Sequence, residues 1–127
     1  MKTVTVEWRH LDTEGKTCAR CAETGQGIAE LLQGLREECR AKGVEIVFKE
    51  TRLSAAEIAQ SNLILINGVP LESVLPMASA AESPCCSCGE ITGRKESCRT
   101  IIRNGQIHEA IPNALIREAI CRVAQCC

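Results

Sequence analysis

The sequence predicts a single α/β domain: a strand, a helix and a parallel strand, followed by antiparallel hairpins and a closing helix. Three observations predict it. They are an alternating apolar pattern at the N-terminus, an amphipathic helical stretch after it, and two Asn-Gly pairs that each separate short apolar runs. A length of 127 residues suffices for one compact core but not for two. Trp8 and Phe48 are the only aromatic residues in the sequence, so aliphatic side chains must build that core.

The N-terminal third has the pattern of a βαβ unit. Val4, Val6 and Trp8 alternate with polar residues in "TVTVEW", which is the period of a strand. Apolar residues then recur at helical spacing: Ile28, Leu31, Leu32, Leu35 and Cys39. Gly43 is typical of a helix end. The run "VEIVFKE" predicts a second strand over Val44–Lys49, parallel to the first.

Two hairpins are predicted further along the chain. The stretch "SAAE" at 54–57 is a capping box that would open a short helix before the first hairpin. Asn67-Gly68 then divides "NLILINGVPLE", and Asn104-Gly105 divides "RTIIRNGQIHEAI". Both dipeptides favour the type I′ turn of a tight hairpin, because both central residues of that turn need a positive φ.

A loop and a helix complete the expected architecture. Small and turn-forming residues in "PMASAAESP" predict a loop over Pro76–Pro84, which leads into a cysteine cluster. The last segment, "PNALIREAICRVA", has Pro112 near its start and an apolar stripe at helical spacing. It predicts the closing helix.

Ten cysteines set this sequence apart from an ordinary α/β domain. The start, "MKTVTVEWRH", lacks the apolar segment of a secretion signal, and the longest aliphatic run, "LILI", is too short to span a membrane. We therefore expect a cytoplasmic protein, where clustered cysteines more often bind metal or catalyse redox reactions than form structural disulfides. A net charge of −1, with basic and acidic residues interspersed, disfavours nucleic acid and membrane surfaces as partners.

Cys18 and Cys21 form a C-x-x-C pair between the first strand and the first helix. Open α/β sheets place their reactive groups just past the carboxyl ends of strands. A helix N-terminus carries partial positive charge and Arg20 adds a full one, and both favour the thiolate that attacks disulfides or binds metal. The helical period places Cys21 on the buried face and Cys18 further round. This suits an exposed attacking thiol and a shielded partner.

This arrangement of a cysteine pair, a further strand, a hairpin and a helix resembles the thioredoxin-like superfamily. Within it, the chain is similar to a small cysteine-rich bacterial branch with no assigned function. The resemblance covers residues 3–72 and 99–125. It implies one thioredoxin-like domain over 1–127, with 73–98 as a cysteine-rich insertion.

The resemblance also implies thiol–disulfide oxidoreductase activity, with Cys18 attacking and Cys21 resolving. Two features depart from the family pattern. Thioredoxins have a cis-proline just before the third strand, where this sequence reads "QSN" at 60–62. The tryptophan that usually precedes the pair is replaced by "KT" at 16–17.

Four further cysteines form a candidate metal site: Cys85, Cys86, Cys88 and Cys98. Cys85-x-x-Cys88-Gly has the form of a metal knuckle, because its spacer lets both sulfurs lie about 2.3 Å from one ion. Cys98 is the natural third ligand. Cys86 could complete the set, although adjacent ligands strain a tetrahedral zinc site, and three thiolates suit softer ions such as Cu(I), arsenic(III) or mercury(II). Two alternatives to metal binding stay open: these thiols exchange disulfides, or they have no chemical role.

The remaining cysteines give weaker signals. Cys39 lies in the apolar helical stripe, where we expect it to pack as a small hydrophobic residue. Cys121 falls on the polar side of the last helix, and an incidental surface position is the simplest interpretation. Cys126 and Cys127 end the sequence, where disorder is expected, and a flexible thiol tail that passes on metal or electrons is an alternative.

The two histidines complete the candidate residues. His10 closes the first strand and could ligate metal or assist a thiol, whereas His108 lies in a hairpin and is expected to be exposed. The expected partners are small-molecule or protein thiols and disulfides, or thiophilic metal ions such as zinc. Three functions stay open: a thiol–disulfide oxidoreductase, a soft-metal or metalloid thiolate-binding protein, and a non-catalytic domain with structural thiols.

Overall fold

The structure is a computed structural model. It describes residues 2–12, 19–54, 56–57, 62–84 and 97–126, with the backbone alone at 19–20, 83–84 and 97–98. Within these residues, seven strands and three α-helices follow one another along the chain. They are β1 (Lys2–Leu11), α1 (Ala19–Arg40), β2 (Val44–Leu53), β3 (Leu63–Ile66), β4 (Val69–Pro70), α2 (Leu71–Val74), β5 (Ala78–Pro84), β6 (Ser97–Arg103), β7 (Gln106–His108) and α3 (Asn113–Ala124).

The strands form two sheets. A four-stranded sheet has the order β2-β1-β3-β4, and a three-stranded sheet has the order β5-β6-β7. In the first sheet β1 runs parallel to β2 along its whole length, with α1 as the crossover between them. Strand β3 is antiparallel to β1, and β4 is antiparallel to β3. The βαβ unit and the α/β class predicted from the sequence are therefore confirmed.

Burial follows the predicted periods. Val4, Val6 and Trp8 of β1 are buried, and all four residues of β3 are buried because this strand lies inside the sheet. Along α1 the stripe from Ile28 to Cys39 is buried, apart from the half-buried Leu31. The apolar stripe of helix α3 packs in the same core.

Both Asn-Gly pairs form the predicted hairpin turns. Asn67 and Gly68 have φ values of 52° and 80°, and Asn104 and Gly105 have 53° and 80°. Two consecutive positive φ angles are what the type I′ turn needs, and asparagine and glycine are the residues that adopt them most readily. The first turn joins β3 to β4, and the second joins β6 to β7.

The predicted loop over Pro76–Pro84 is wrong from residue 78 onwards. Strand β5 pairs with β6 residue by residue, from Ala78 opposite Arg103 to Pro84 opposite Ser97. Small residues have low intrinsic β propensity, and here the neighbouring strand determines the conformation. The expected cysteine-rich insertion over 73–98 thus begins within α2, includes β5 and ends at the start of β6.

Ion pairs and shared core residues attach the second sheet to the rest of the chain. Arg99 of β6 pairs with Glu72 of α2, and Arg103 pairs with Glu118 of α3 at 2.9 Å. Ile101 of β6 is buried in the same apolar cluster as β1 and α1.

Two further sequence predictions concern the capping box at 54–57 and membrane-spanning helices. In the predicted capping box, the Ser54 backbone N–H and hydroxyl both donate to Glu57 Oε1 at 3.2 Å. The helix that this box would open continues into 58–61, which lie outside the described residues. Among the described helices, none is both long and apolar enough to cross a membrane.

Candidate functional site

The candidate thiol site lies where β1 ends and α1 begins. Strand β1 ends at Leu11 and α1 starts at Ala19, so Cys21 lies in the first turn of the helix. Cys21 is fully buried, as the helical period predicted. Cys18, the expected attacking thiol, lies outside the described residues, one position before the helix.

A buried hydrogen-bond network lies one helical turn beyond Cys21. The Trp8 indole N–H donates to Asn62 Oδ1 at 3.2 Å, and Asn62 Nδ2 donates to Thr24 Oγ1 at 3.1 Å. Thr24 Oγ1 also accepts the Ile111 backbone N–H at 3.1 Å. These contacts join β1, the residue before β3, the first turns of α1 and the segment before α3. They hold the start of α1 against the sheet.

Sequence reasoning missed Asn62 and Thr24. A signal existed for Thr24, because it lies three residues after Cys21 and four before Ile28, which puts a polar residue on an apolar stripe. Asn62 directly precedes the all-apolar strand β3 and has a φ of 64°, a conformation that asparagine tolerates better than most residues. The resemblance expects a cis-proline at this place, and the described part of the chain contains no cis peptide bond.

Two glycines let α1 approach its neighbours. A Cβ atom at Gly25 would overlap the ring of Trp8, and one at Gly27 would overlap the side-chain oxygen of Asn113 at the start of α3. The indole therefore lies directly against the helix backbone, one turn after Cys21. This contact makes Trp8 a reporter on the site.

His10 lies at the end of β1 and is buried. Its Nε2 lies 2.8 Å from Glu50 Oε2, and its Nδ1 lies 3.1 Å from the Leu11 carbonyl oxygen. The ring therefore has an oxygen atom at hydrogen-bond distance from each of its nitrogens. It stacks on Trp8 with the ring centroids 3.9 Å apart. Both ring nitrogens thus contact protein oxygens, and the role of His10 as a metal ligand or as an aid to a thiol stays a prediction.

Two of the remaining cysteine predictions are corrected by a disulfide. Cys39 is buried, as predicted, but it is bonded to Cys126, with an S–S distance of 2.02 Å. The expectation that Cys126 belongs to a flexible tail is therefore wrong. Gln125 ends α3 in the left-handed conformation, with a φ of 57°, and the chain turns there so that Cys126 lies buried. Cys121 is also disulfide-bonded, so the expectation of an incidental surface cysteine is wrong as well.

The predicted metal ligands cannot be placed together from the described residues. Cys85, Cys86 and Cys88 lie outside them, as does Cys127. The backbone of Cys98 lies in β6, opposite Ser83 of β5. Among the side chains that the structure describes, no three histidine, cysteine, aspartate or glutamate residues gather as a metal site.

A groove with a volume of about 580 Å³ runs along α1 and β2, from Trp8 and Gly25 beside the thiol site to Arg40. Both aromatic residues of the chain, Trp8 and Phe48, line it, together with Ile28 and Leu32 of α1. Charged side chains form its rim: Arg36, Glu37, Arg40 and Glu50.

Comparisons with known proteins find relatives of this chain. Residues 4–120 match the family described as a domain of unknown function, DUF2703. An uncharacterized protein of Archaeoglobus fulgidus is 32% identical over 118 residues, which cover 89% of this chain and 82% of that protein. No solved structure matches the chain. The family match includes the C-x-x-C pair and ends before Cys121 and Cys126.

Proposed function

We propose that this chain, which belongs to the DUF2703 family, is a thioredoxin-like protein that exchanges thiols and disulfides through Cys18 and Cys21. The observation that carries the proposal is the position of Cys21. It is fully buried in the first turn of α1, next to the carboxyl end of the central strand β1. Open α/β sheets place their reactive groups at this end.

The topology supports the thioredoxin-like part of the proposal. The resemblance rests on a βαβ unit followed by a hairpin and a helix. Here β1, α1 and β2 are followed by the β3–β4 hairpin, whose first strand is antiparallel to β1. Helix α3 packs on the same core, after the second sheet.

The proposed exchange has two steps. The Cys18 thiolate attacks one sulfur of a disulfide substrate, which forms a Cys18–substrate mixed disulfide and releases one substrate thiolate. Cys21 loses its proton to solvent, and its thiolate attacks the Cys18 sulfur. This second step forms the Cys18–Cys21 disulfide and releases the second substrate thiolate. Two electrons pass from the dithiol to the substrate, and a reducing dithiol of another molecule restores the pair.

The surroundings of Cys21 suit a resolving thiol. Its burial shields it from direct attack by dissolved disulfides, so that the first attack falls to its partner. The network of Trp8, Asn62 and Thr24 fixes the helix turn next to it. The partial positive charge at the N-terminus of α1 favours a thiolate in this turn.

The proposal includes a cytoplasmic location, with small-molecule or protein thiols and disulfides as partners. Disulfides in that compartment are usually reduced unless reductants cannot reach them. Cys39 and Cys126 are both completely buried, which keeps an attacking thiolate from their sulfurs. The Cys39–Cys126 bond is therefore compatible with a reducing compartment.

An equilibrium titration in anaerobic dithiol–disulfide buffers tests the proposal. Trp8 fluorescence follows the transition, and alkylation with peptide mass mapping identifies the cysteines involved. We expect one two-electron transition that belongs to Cys18 and Cys21. It should be lost in Cys18→Ser, whereas Cys21→Ser should trap a mixed disulfide on Cys18.

A control and an alternative complete the test. The Cys39→Ala/Cys126→Ala variant should keep the transition, because its cysteines lie at the opposite end of α1. A Cys18 that reacts no faster than a buried thiol would refute the proposal. Metal analysis of the same anaerobic protein tests the alternative, which is binding of zinc or a softer ion by Cys85, Cys86, Cys88 and Cys98. About one tightly bound ion per chain, with no exchange activity, would favour that alternative.

A further inference from the structure

The outer edge of β2 has no neighbouring strand within the part of the chain that the structure describes. Strand β2 is ten residues long and lies at one end of the four-stranded sheet, whereas the opposite end is the two-residue strand β4. A long edge strand offers a row of backbone N–H and C=O groups to another strand. In the middle of this edge, the apolar side chain of Val47 is 40% exposed.

The even-numbered residues of β2 point their backbone groups at this open edge. The Lys2 N–H donates to the Gly43 carbonyl at one end of the β1–β2 pair, and the Asp12 N–H donates to the Leu53 carbonyl at the other. The register between these ends is continuous. Because successive residues direct their backbone groups to alternate sides, odd-numbered residues face β1. The outward residues are Val44, Ile46, Phe48 and Glu50.

We propose that a second copy of this chain pairs with this edge in the antiparallel sense, with the two-fold axis at Val47. Antiparallel strands exchange hydrogen bonds between residues that point outward. This axis therefore pairs Ile46 with Phe48 of the second copy, and Val44 with its Glu50. The closely spaced positions without hydrogen bonds place Val47 opposite Val47, and Glu45 opposite Lys49 of the second copy.

Charge complementarity selects this register. Glu45 and Lys49 are exposed, and neither forms an ion pair with another described residue. With the axis at Val47, two symmetry-related Glu45–Lys49 pairs form across the interface. An axis at Ile46 would place Glu45 opposite Val47, and an axis at Phe48 would place Lys49 opposite Val47. Both alternatives leave the charges unpaired, and opposite charges stabilise an antiparallel pair when they lie directly across from each other.

The second copy also fills the groove beside this edge. A second groove, of about 330 Å³, lies beside the first half of β2, and Ile46, Phe48, Arg36 and Arg40 are among the residues that line it. In the proposed pair, Phe48 of the second copy lies across from Ile46 and covers the apolar floor. Glu50 of the second copy lies across from Val44 and keeps its contact with His10 of its own chain. The same pairing thus covers the apolar surface of this groove.

Sedimentation equilibrium of the whole chain tests the proposal. We expect a reversible dimer, and a non-reducing gel should show that it is not held by disulfides. Glu45→Lys puts two lysines opposite each other, and Lys49→Glu does the same with two glutamates. Each should weaken the dimer by about tenfold or more. The double variant Glu45→Lys/Lys49→Glu restores both pairs with reversed sign and should recover most of the affinity.

Glu30→Lys is the matched control, because Glu30 is an exposed residue of α1 outside the groove lining. It should dimerise like the unmodified chain. Circular dichroism melting curves check that each variant is folded. A chain that is monomeric at every concentration would overturn the proposal. So would a dimer that the single substitutions leave unchanged, or one that the double variant fails to restore.

Discussion

Helix α1 holds a fully buried cysteine near each end, Cys21 in its first turn and Cys39 in its last. Cys39 is bonded to Cys126 and ties α1 to the segment after α3. Cys21 lies one turn before the polar network of Thr24 and Asn62, and three residues after Cys18 in the sequence. Both cysteines lie on one apolar stripe of the same helix. Burial and periodicity therefore do not distinguish a structural cysteine from a candidate reactive one.

The two ends of the helix differ in their electrostatics. The N-terminal end of a helix carries partial positive charge, which favours a thiolate in the first turn, where Cys21 lies. The C-terminal end presents carbonyl oxygens and partial negative charge, which disfavours a thiolate at Cys39. A disulfide carries no charge and suits the C-terminal end. Under the proposed function, the first turn of α1 carries the reactive thiol and the last turn contributes to the stability of the fold.

The largest expected effect comes from removing the disulfide at the C-terminal end. Cys39 and Cys126 are 87 residues apart in sequence, and a bond that closes a loop of this size restricts the unfolded chain strongly. We expect the Cys39→Ala/Cys126→Ala variant to lose about 4 kcal/mol of unfolding free energy. Urea denaturation measures this loss. A loss below about 1 kcal/mol would mean that the bond does not stabilise the fold.

The next effect concerns the polar network at the other end of α1. Asn62→Ala leaves the Trp8 indole N–H buried without an acceptor and puts alanine at a positive φ, so we expect a loss of about 3 kcal/mol. Asn104→Ala is the matched control, because Asn104 has a similar φ of 53° but lies exposed in a turn. It should lose only about 1 kcal/mol. Equal losses would show that the buried network contributes nothing.

Two glycine substitutions compare the packing at the start of α1 with the packing at its middle. Gly25→Ala forces a methyl group into the buried Trp8 ring, and we expect a loss of about 2 kcal/mol together with a change in Trp8 fluorescence. Gly34→Ala meets no atom within 4 Å and should stabilise the helix by up to about 1 kcal/mol. Thermal melts of both variants measure the difference. The same sign in both would contradict the close packing of Trp8 on α1.

The sequence allowed the first sheet and its turns to be predicted, because their signals are local. Val4, Val6 and Trp8 show the strand period within a few residues, and the dipeptide Asn67-Gly68 by itself predicts a type I′ turn. Strand β5 was missed because "ASAAESP" has no strand preference of its own, and its conformation comes from pairing with β6. Local patterns do not contain that information.

The candidate site was predictable only in part, for the same reason. The C-x-x-C spacing identified Cys21 as a candidate, and the helical period of α1 predicted its burial. Both signals are local, because they lie within one helix and its start. The partners of Trp8 come from other elements, and no local pattern joins Asn62 to Thr24 across 38 residues. Cys39 and Cys126 are further apart still, and spacing does not decide which of ten cysteines pair.

The smallest expected effect sharpens the comparison at the C-terminal end of α1, where Glu38, next to Cys39 in the sequence, forms an ion pair with Arg117 of α3. Both Arg117 guanidinium nitrogens Nη1 and Nη2 donate to Glu38, at 3.1 and 3.2 Å, on the surface. The hydrogen bond from Arg117 and then its charge lower the pKa of Glu38 below its ordinary value. A carboxyl group whose pKa is lower in the folded than in the unfolded chain stabilises the fold fully at pH values above its unfolded-state pKa. This contribution is lost as the pH falls through the folded-state pKa.

Arg117→Gln should therefore lower the melting temperature slightly at pH 7, by less than any of the destabilising changes above, because exposed ion pairs are screened by solvent. The difference between the two proteins should shrink as the pH falls and Glu38 becomes protonated. It should also shrink when salt is added at pH 7. Melting curves of both proteins between pH 7 and acidic pH, at low and high salt, measure it. A difference that persists at acidic pH would show that Arg117 acts through the packing of its aliphatic part and not through its ion pair with Glu38.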